Sequence, residues 1–290
     1  DEPLGALDLK LRKDMQIGTF DFANEPLAQL SDRLVMFLFR RGDVSPSGSR
    51  FAWNIPKNFW KTNLPVECPV EFSRLGLIAG IGTAVDGETI PEVTLLSLRE
   101  ASGKAPLPDT RIQTLRRILS ESGVATSSTG QLRLDSRKKT LAIHTPRTLS
   151  ATLASGALET GELAVSGIQT PTTVSVSSLN ADPVSRSSRL LLFHLTDVLD
   201  SGTVFKGEKR QYLLKWGTLP HLVRRSPAKI SLRLEGGSRP EVKALRLDGT
   251  VYGNVKSNFS NGILHFTADP GLFRGGVMAY WITRDSNGEK

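Results

Sequence analysis

Apolar residues recur at helical spacing near the beginning of the chain. They fall every three or four positions within residues 24–41 and share one face: Leu27, Leu30, Leu34, Phe37 and Leu38. Asn24 is a suitable N-cap, and Gly42 is a suitable residue to end the helix. The pattern predicts an amphipathic helix that is apolar enough to need a packing partner larger than itself.

The following stretch mixes short strand patterns with loops and ends in a second helical pattern. Apolar runs predict strands near residues 50–56, 75–81 and 93–98. A second amphipathic helix is predicted over residues 109–122. The first 125 residues are therefore expected to form a smaller α/β segment.

From Thr126 onward, apolar and polar residues alternate in short runs separated by Gly, Pro, Asn and Ser. Strands are predicted near residues 131–134, 140–144, 150–153, 162–165, 172–177, 189–195, 211–215, 229–234, 241–247, 262–267 and 277–283. Asp248-Gly249 and Asn261-Gly262 are typical of hairpin turns. The spacing of these elements favours a mainly β fold, an antiparallel β-sandwich over residues 126–290 preceded by the α/β segment with its two amphipathic helices.

Composition narrows the choice of partners. The 290-residue chain carries 37 Lys and Arg against 29 Asp and Glu, a formal net charge of +8. The cations are scattered, and no basic run alternates with aromatic residues as in a groove for single strands, so no nucleic acid partner is predicted. No apolar run approaches the roughly 18 residues of a membrane span, so no span is predicted either.

Cys68 is the only cysteine of the chain, which excludes an internal disulfide. It is interpreted as a buried structural thiol, because no histidine nearby in the sequence would activate it. The sequence has no signal peptide pattern and does not begin with Met, which favours a processed or truncated start.

Three groups of segments resemble one known family. They are residues 39–44 (FRRGDV), residues 128–135 (STGQLRLD) with 145–148 (TPRT), and residues 189–197 (RLLLFHLTD) with Trp216-Gly217 and 220–223 (PHLV). Together they resemble the C-terminal region of bacterial glycoside-hydrolase-like proteins related to the barrel-bearing retaining glycosidases. The resemblance implies a polysaccharide-processing role in a secreted or periplasmic protein. It also implies that residues 24–41 correspond to a late helix of the barrel.

The chain departs from that family in one large respect. A (β/α)8 barrel takes about 250 residues, and the part before the predicted sandwich is too short to hold one. The matched segments carry none of the family's catalytic positions, and no phosphate loop, dinucleotide fingerprint or nucleophile elbow occurs, so neither a catalytic residue nor a cofactor is predicted. We expect an accessory region that supports a catalytic domain or other subunits, or that binds a polysaccharide or oligosaccharide. A free-standing carbohydrate-binding protein and a glycosidase with an unrecognised site are the alternatives.

Polar residues gather in the third group of segments. Residues 188–223 predict a buried strand, a polar loop and a second element, and His194, Asp197, Asp200 and His221 flank that loop. These side chains could form a metal or sugar site, with Asp197 and Asp200 as the metal ligands. The competing interpretation is that the aspartates organise the loop while the histidines pack and form hydrogen bonds.

Tryptophan side chains could stack on sugar rings, since they combine an apolar face with a polar edge. Trp53, Trp60, Trp216 and Trp281 are the candidates. Trp216 and Trp281 stand in strand-like contexts, which favours core packing, whereas Trp60 lies in a loop-like stretch and is the better surface candidate. The predicted carbohydrate contacts are Trp60, Trp216 and His221.

An Arg-Gly-Asp tripeptide, residues 41–43, follows the first helix. Such a tripeptide can serve cell adhesion, but short motifs also occur by chance. Its place at a helix end favours a structural role, in which Asp43 pairs with a basic residue of the helix end or caps the following turn.

Overall fold

Alternating apolar and polar residues form strands over most of the chain. The computed structural model describes residues 25–58, 75–76, 78–96, 121–207, 210–236 and 238–285. Their contacts define two units: a sandwich unit, residues 25–43 with 145–285, and a parallel-sheet unit, residues 44–144. The expected boundary lay between residues 125 and 126. Residues 126–144 instead group with the earlier strands, and the first helix groups with the later ones.

The parallel-sheet unit contains six described strands. They are β1 (Arg50–Ile55), β2 (Gly80–Val85), β3 (Val93–Leu96), β4 (Val124–Thr126), β5 (Leu132–Asp135) and β6 (Thr140–His144). β1 pairs in parallel with both β2 and β3, whereas β5 pairs antiparallel with β4 and β6. Trp53 is buried in the core of this unit with Phe51, Ile55 and Leu96.

The sandwich unit begins with the predicted helix, in two parts. An α-helix, α1 (Pro26–Val35), continues into a π-helical turn (Met36–Arg40). Asn24 lies outside the described residues, and Glu25 provides the cap: its carboxylate accepts hydrogen bonds from the backbone N–H groups of Leu27 and Ala28 at 3.2 and 2.5 Å.

Fifteen strands described in the sandwich unit follow in chain order. They are β7 (Thr148–Leu153), β8 (Gly156–Thr160), β9 (Leu163–Ile168), β10 (Thr172–Ser178), β11 (Arg189–Leu195), β12 (Val198–Ser201), β13 (Val204–Lys206), β14 (Tyr212–Lys215), β15 (Thr218–Val223), β16 (Ala228–Arg233), β17 (Glu241–Leu245), β18 (Val251–Asn254), β19 (Ser257–Ser260), β20 (Ile263–Ala268) and β21 (Ala279–Thr283).

Two antiparallel sheets of this unit face each other. One runs β18-β17-β21-β11-β10-β7, and the other runs β19-β20-β16-β9-β8. Alternate residues of both sheets enter one apolar core, as Leu190 and Leu192 of β11 meet Ile230 and Leu232 of β16 in the same cluster. The predicted antiparallel β-sandwich is therefore confirmed.

The first helix packs against β11, so this unit itself supplies the packing partner that the sequence required. Leu30, Leu34 and Leu38 form the buried face. A second apolar face of the same segment, Val35, Met36 and Phe39, stays exposed.

The turn at Asn261-Gly262 matches its prediction. Both residues have positive φ, 52° and 73°, and they connect β19 to β20 directly. Positive φ at both central residues is typical of a type I′ hairpin turn, which only Asn, Asp and Gly adopt readily.

The main difference from the prediction lies between β11 and β16. Residues 198–223, here called the arm, were expected to be a polar loop followed by one further element. They form four strands in two small antiparallel ribbons, β12 with β15 and β13 with β14. Apolar and polar residues alternate only weakly along the arm, because neither ribbon belongs to the two large sheets whose faces separate core from solvent.

Trp60, Cys68 and all but the last two residues of the predicted helix at residues 109–122 lie outside the described residues. Within the part of the chain that is described, no helix is long and apolar enough to cross a membrane.

A histidine side chain lies within the sandwich core. His194 of β11 is fully buried on the same face as Leu190 and Leu192, and neither ring nitrogen has a hydrogen-bond partner among the described side chains. Burial lowers the pKa of His194 from 6.5 to about 4, although the Asp269 carboxylate and the Ser226 backbone oppose the shift. The imidazole is therefore neutral in the folded protein at neutral pH.

We predict that the stability of this unit falls in mild acid because of His194. Between its unfolded and folded pKa values only the unfolded chain takes up the proton, so the free energy of unfolding should drop by roughly 3 kcal/mol as pH is lowered from about 6.5 to about 4. Urea unfolding at a series of pH values measures this slope. His194→Leu should flatten it. Equal slopes in wild type and His194→Leu would contradict the assignment.

Candidate functional site

The arm encloses one side of an open groove of about 190 Å³. Apolar side chains alternate along it with polar ones. The lining residues are Glu25, Val198, Leu199, Asp200, Thr203, Phe205, Leu213, Trp216 and His221. All of them belong to the sandwich unit, and three of them, Asp200, Trp216 and His221, were candidates from the sequence.

Trp216 is the most exposed large apolar residue of the described chain, at 73% of its full surface. The prediction that it packs in a core was wrong, because the arm has no second sheet to cover it. Its backbone is nevertheless fixed, since the Thr203 hydroxyl donates a hydrogen bond to the Trp216 carbonyl oxygen at 2.9 Å. A large flat ring is thus presented to solvent from an anchored position.

Gly217 explains why the chain can turn directly after this tryptophan. Its φ of +80° suits glycine, and a Cβ at this position would lie only 2.6 Å from the Thr203 hydroxyl oxygen and 2.9 Å from the Asp200 Cβ. The close approach of the two ribbons at this point therefore requires a residue without a side chain.

Asp200 and His221 form a polar pair in the groove. They stand opposite each other on β12 and β15, and His221 Nδ1 lies 2.6 Å from Asp200 Oδ1. The bond requires a proton on Nδ1, so the carboxylate fixes both the tautomer and the orientation of the imidazole. Both side chains remain partly exposed, at 32% for Asp200 and 20% for His221.

Asp197 stands apart from this pair, at the base of the arm. One of its carboxylate oxygens accepts hydrogen bonds from Arg210 at 2.6 Å and from Arg224 at 3.1 Å. Two guanidinium groups on the same carboxylate oppose the approach of a metal cation. Asp197 directly precedes the arm, and its ion pairs connect this start to Arg210, between β13 and β14, and to Arg224, which directly follows the arm.

The four polar candidates thus occupy three places: the groove, the arginine pairs at the arm's base, and, for His194, the sandwich core. Among the described residues, no three or more His, Cys, Asp or Glu side chains are grouped as metal ligands. The predicted metal pair, Asp197 and Asp200, therefore gains no support from the geometry.

The Arg-Gly-Asp tripeptide is built into the sandwich unit. The Arg41 guanidinium binds the Asp43 carboxylate, with Nε 2.9 Å from Oδ1, and Asp43 also accepts a hydrogen bond from the Thr148 hydroxyl at 2.7 Å. The Asp43 side chain is only 1% exposed, so a receptor could not reach it. The predicted pairing of Asp43 with a basic residue of the helix end is confirmed.

Sequence reasoning missed the apolar part of the groove, namely Phe205 and Leu213. They are register partners on β13 and β14, on the face opposite to Lys206 and Tyr212. The alternation around Phe205 was the available signal, but a strand of three residues is too short to stand out.

An exposed indole beside a polar pair can bind a molecule with one flat apolar face and a hydroxylated edge. The indole provides stacking area, and Asp200 accepts hydrogen bonds. The Thr203 hydroxyl donates its one proton within the protein, so it too is an acceptor for a ligand. The groove is shallow and open, which suits one segment of an extended ligand better than a fully enclosed small molecule.

Comparison of the chain with protein-family models, with curated proteins and with solved structures gives no match. Its function must therefore be argued from its own residues.

We predict that Asp43→Ala destabilises the sandwich unit, because it leaves the Arg41 guanidinium without its buried counter-ion. Loss of one partner of a buried, hydrogen-bonded ion pair costs about 3 kcal/mol in the free energy of unfolding. Denaturant unfolding measures the change. Glu159→Ala removes an exposed carboxylate of β8 and serves as the control, with little expected effect. A stable Asp43→Ala protein would show that the tripeptide is not a structural element.

Proposed function

We propose that this chain is a non-catalytic accessory region of a bacterial polysaccharide-processing glycoside hydrolase, and that it binds carbohydrate through the groove of the arm. The observation that carries the proposal is the exposed Trp216 ring next to the Asp200–His221 pair. The segment resemblance gives the parent class, and with it a secreted or periplasmic location.

Carbohydrate suits this groove for a physical reason. A pyranose ring has an apolar face of C–H groups and a rim of hydroxyl groups. The face can stack on the indole, and the hydroxyl groups can donate hydrogen bonds to Asp200 or to the Thr203 hydroxyl oxygen. Phe205 and Leu213 extend the apolar surface from which water is displaced.

The glycosidase alternative is weaker. It depended on His194, Asp197, Asp200 and His221 acting together, and these side chains lie in three separate environments. Glu25, the other carboxylate of the groove, is engaged with the backbone N–H groups at the start of α1. A free-standing carbohydrate-binding protein would use the same groove, so that alternative differs only in the length of the native protein.

A supporting role toward a neighbouring domain has its own observation. Phe39 is 71% exposed and lies with Val35 and Met36 on the uncovered face of the first helical segment. Exposed apolar side chains grouped in this way are typical of contact surfaces. A catalytic domain of the same protein is the partner that the segment resemblance suggests.

We predict that Trp216→Ala weakens binding to polysaccharides at least about tenfold, which corresponds to roughly 1.4 kcal/mol of lost stacking and apolar contact. Affinity electrophoresis in gels that contain soluble polysaccharides measures retention directly. The melting temperature should remain unchanged, because the ring contributes little to the core.

Phe39→Ala is the matched control for this experiment, since it removes an aromatic ring of nearly the same exposure from a different surface. It should retain full binding. Retention of Trp216→Ala equal to that of the wild type, or no retention of the wild type on any polysaccharide, would remove the groove as a carbohydrate site.

The intact mass of the native protein decides between an accessory region and a free-standing protein. We expect a mass that exceeds the 31.6 kDa of this chain by a catalytic domain, about 250 residues or more if that domain is a barrel. A mass equal to that of the chain would favour the free-standing carbohydrate-binding protein.

A further inference from the structure

Two cations border the carbohydrate groove. The Arg210 guanidinium lies 5.7 Å from the ring centroid of Phe205, which lines the groove, and the Arg210 side chain is 37% exposed. Lys215 directly precedes Trp216, and its ammonium group lies 3.9 Å from the position that a Cβ on Gly202 would take, next to the lining residue Thr203. Lys215 has no ion pair with any residue that the structure describes.

Three carboxylates described in the same region are engaged within the protein. Asp200 is bound to His221, Asp197 to two arginines, and Glu25 to the N–H groups at the start of α1. The sequence from 197 to 225 holds six Lys and Arg against three Asp and Glu. Arg210 and Arg224 share the single carboxylate of Asp197, so that group keeps a net positive charge, whereas Arg225 is paired with Asp269. Positive charge is therefore the charge that this region has available for a ligand.

We propose that the ligand of the groove is an acidic polysaccharide, whose sugar units carry carboxylate or sulfate groups. This inference rests on the proposed function and adds the charge of the substrate to it. Trp216 stacks on one sugar ring while Lys215 and Arg210 bind the anionic groups of the same unit or the next. The net charge of +8 draws such a polymer toward the protein over a longer range.

A nucleic acid is the other polyanion to consider, and the groove favours the glycan. Asp200 is a hydrogen-bond acceptor, which hydroxyl groups of a sugar satisfy and a phosphodiester backbone does not. Proteins that bind single strands offer a series of aromatic rings to successive bases. In the arm, as far as it is described, Trp216 is the one strongly exposed aromatic side chain that lines the groove.

Two matched pairs of polymers test the charge. Polygalacturonate is compared with its fully methyl-esterified form, which has the same backbone without the charge, and dextran sulfate is compared with dextran. We expect at least one acidic polymer to bind at least about tenfold more tightly than its neutral partner, with an affinity that falls as NaCl is raised from about 50 to about 500 mM. A difference within the polygalacturonate pair would show that carboxylate groups are recognised, and a difference within the dextran pair would show that sulfate groups are recognised.

Variants separate the role of Lys215 from the overall charge. Lys215→Gln should weaken binding of the acidic polymer by roughly three- to tenfold and leave binding of the neutral one unchanged. Lys256→Gln removes the same charge from an exposed position between β18 and β19, and it should leave both affinities unchanged. Trp216→Ala should weaken binding of both the acidic and the neutral polymer.

Several outcomes would overturn the proposal, and they can be told apart. Equal binding of acidic and neutral polymers would refute the charge preference while the carbohydrate function stands. No binding of any of the four polymers would remove the carbohydrate function and this inference together. Binding of a single-stranded oligonucleotide as tight as that of the acidic polymer, insensitive to Trp216→Ala, would assign the surface to polyanions in general.

Discussion

The structure of the larger unit depends on one constraint, that two facing sheets must bury the same apolar layer. Successive side chains of a strand point to opposite faces, so the choice of core residues fixes the register of every strand. Leu190 and Leu192 of β11 face Ile230 and Leu232 of β16 across that layer. Because the layer is dry, any polar group that enters it must either lose its charge or bring its own partners.

Some buried polar groups of this unit are neutral, and others keep their charge and are bound by partners. His194 stays neutral in the core. Arg284, at the end of β21, keeps its guanidinium group and donates to four backbone carbonyl oxygens, those of Ser185, Ser187, Glu235 and Gly236. Burial lowers the pKa of Arg284, and the four acceptors satisfy four of its five N–H donors. Asp43 is buried with Arg41 in a similar way. These groups connect loops and the first helix to the sheets, where apolar contacts alone would not fix a position.

The arm is the part of this unit that does not have to bury a face against the shared apolar layer. Its two ribbons lie outside the facing sheets, so their side chains need not alternate between core and solvent. Trp216 is exposed for that reason, and the ion pairs of Asp197 with Arg210 and Arg224 hold the arm's base. Gly217 allows the ribbons to approach within a distance that no side chain would permit. A binding groove therefore arises where the chain leaves the sandwich and is held by polar contacts.

The sequence by itself determined the sandwich, since period-two alternation and turn residues such as Asn261-Gly262 are local signals. The predicted strand Arg189–Leu195 has the bounds that were expected. It also identified Trp216, Asp200 and His221 as candidates. It favoured core packing for Trp216, however, and it grouped Asp197 and His194 with Asp200 and His221 in one candidate site. Only the tertiary structure decided those positions. Burial depends on whether a second sheet covers a strand, and pairing depends on which strands are neighbours, and neither is encoded in local spacing.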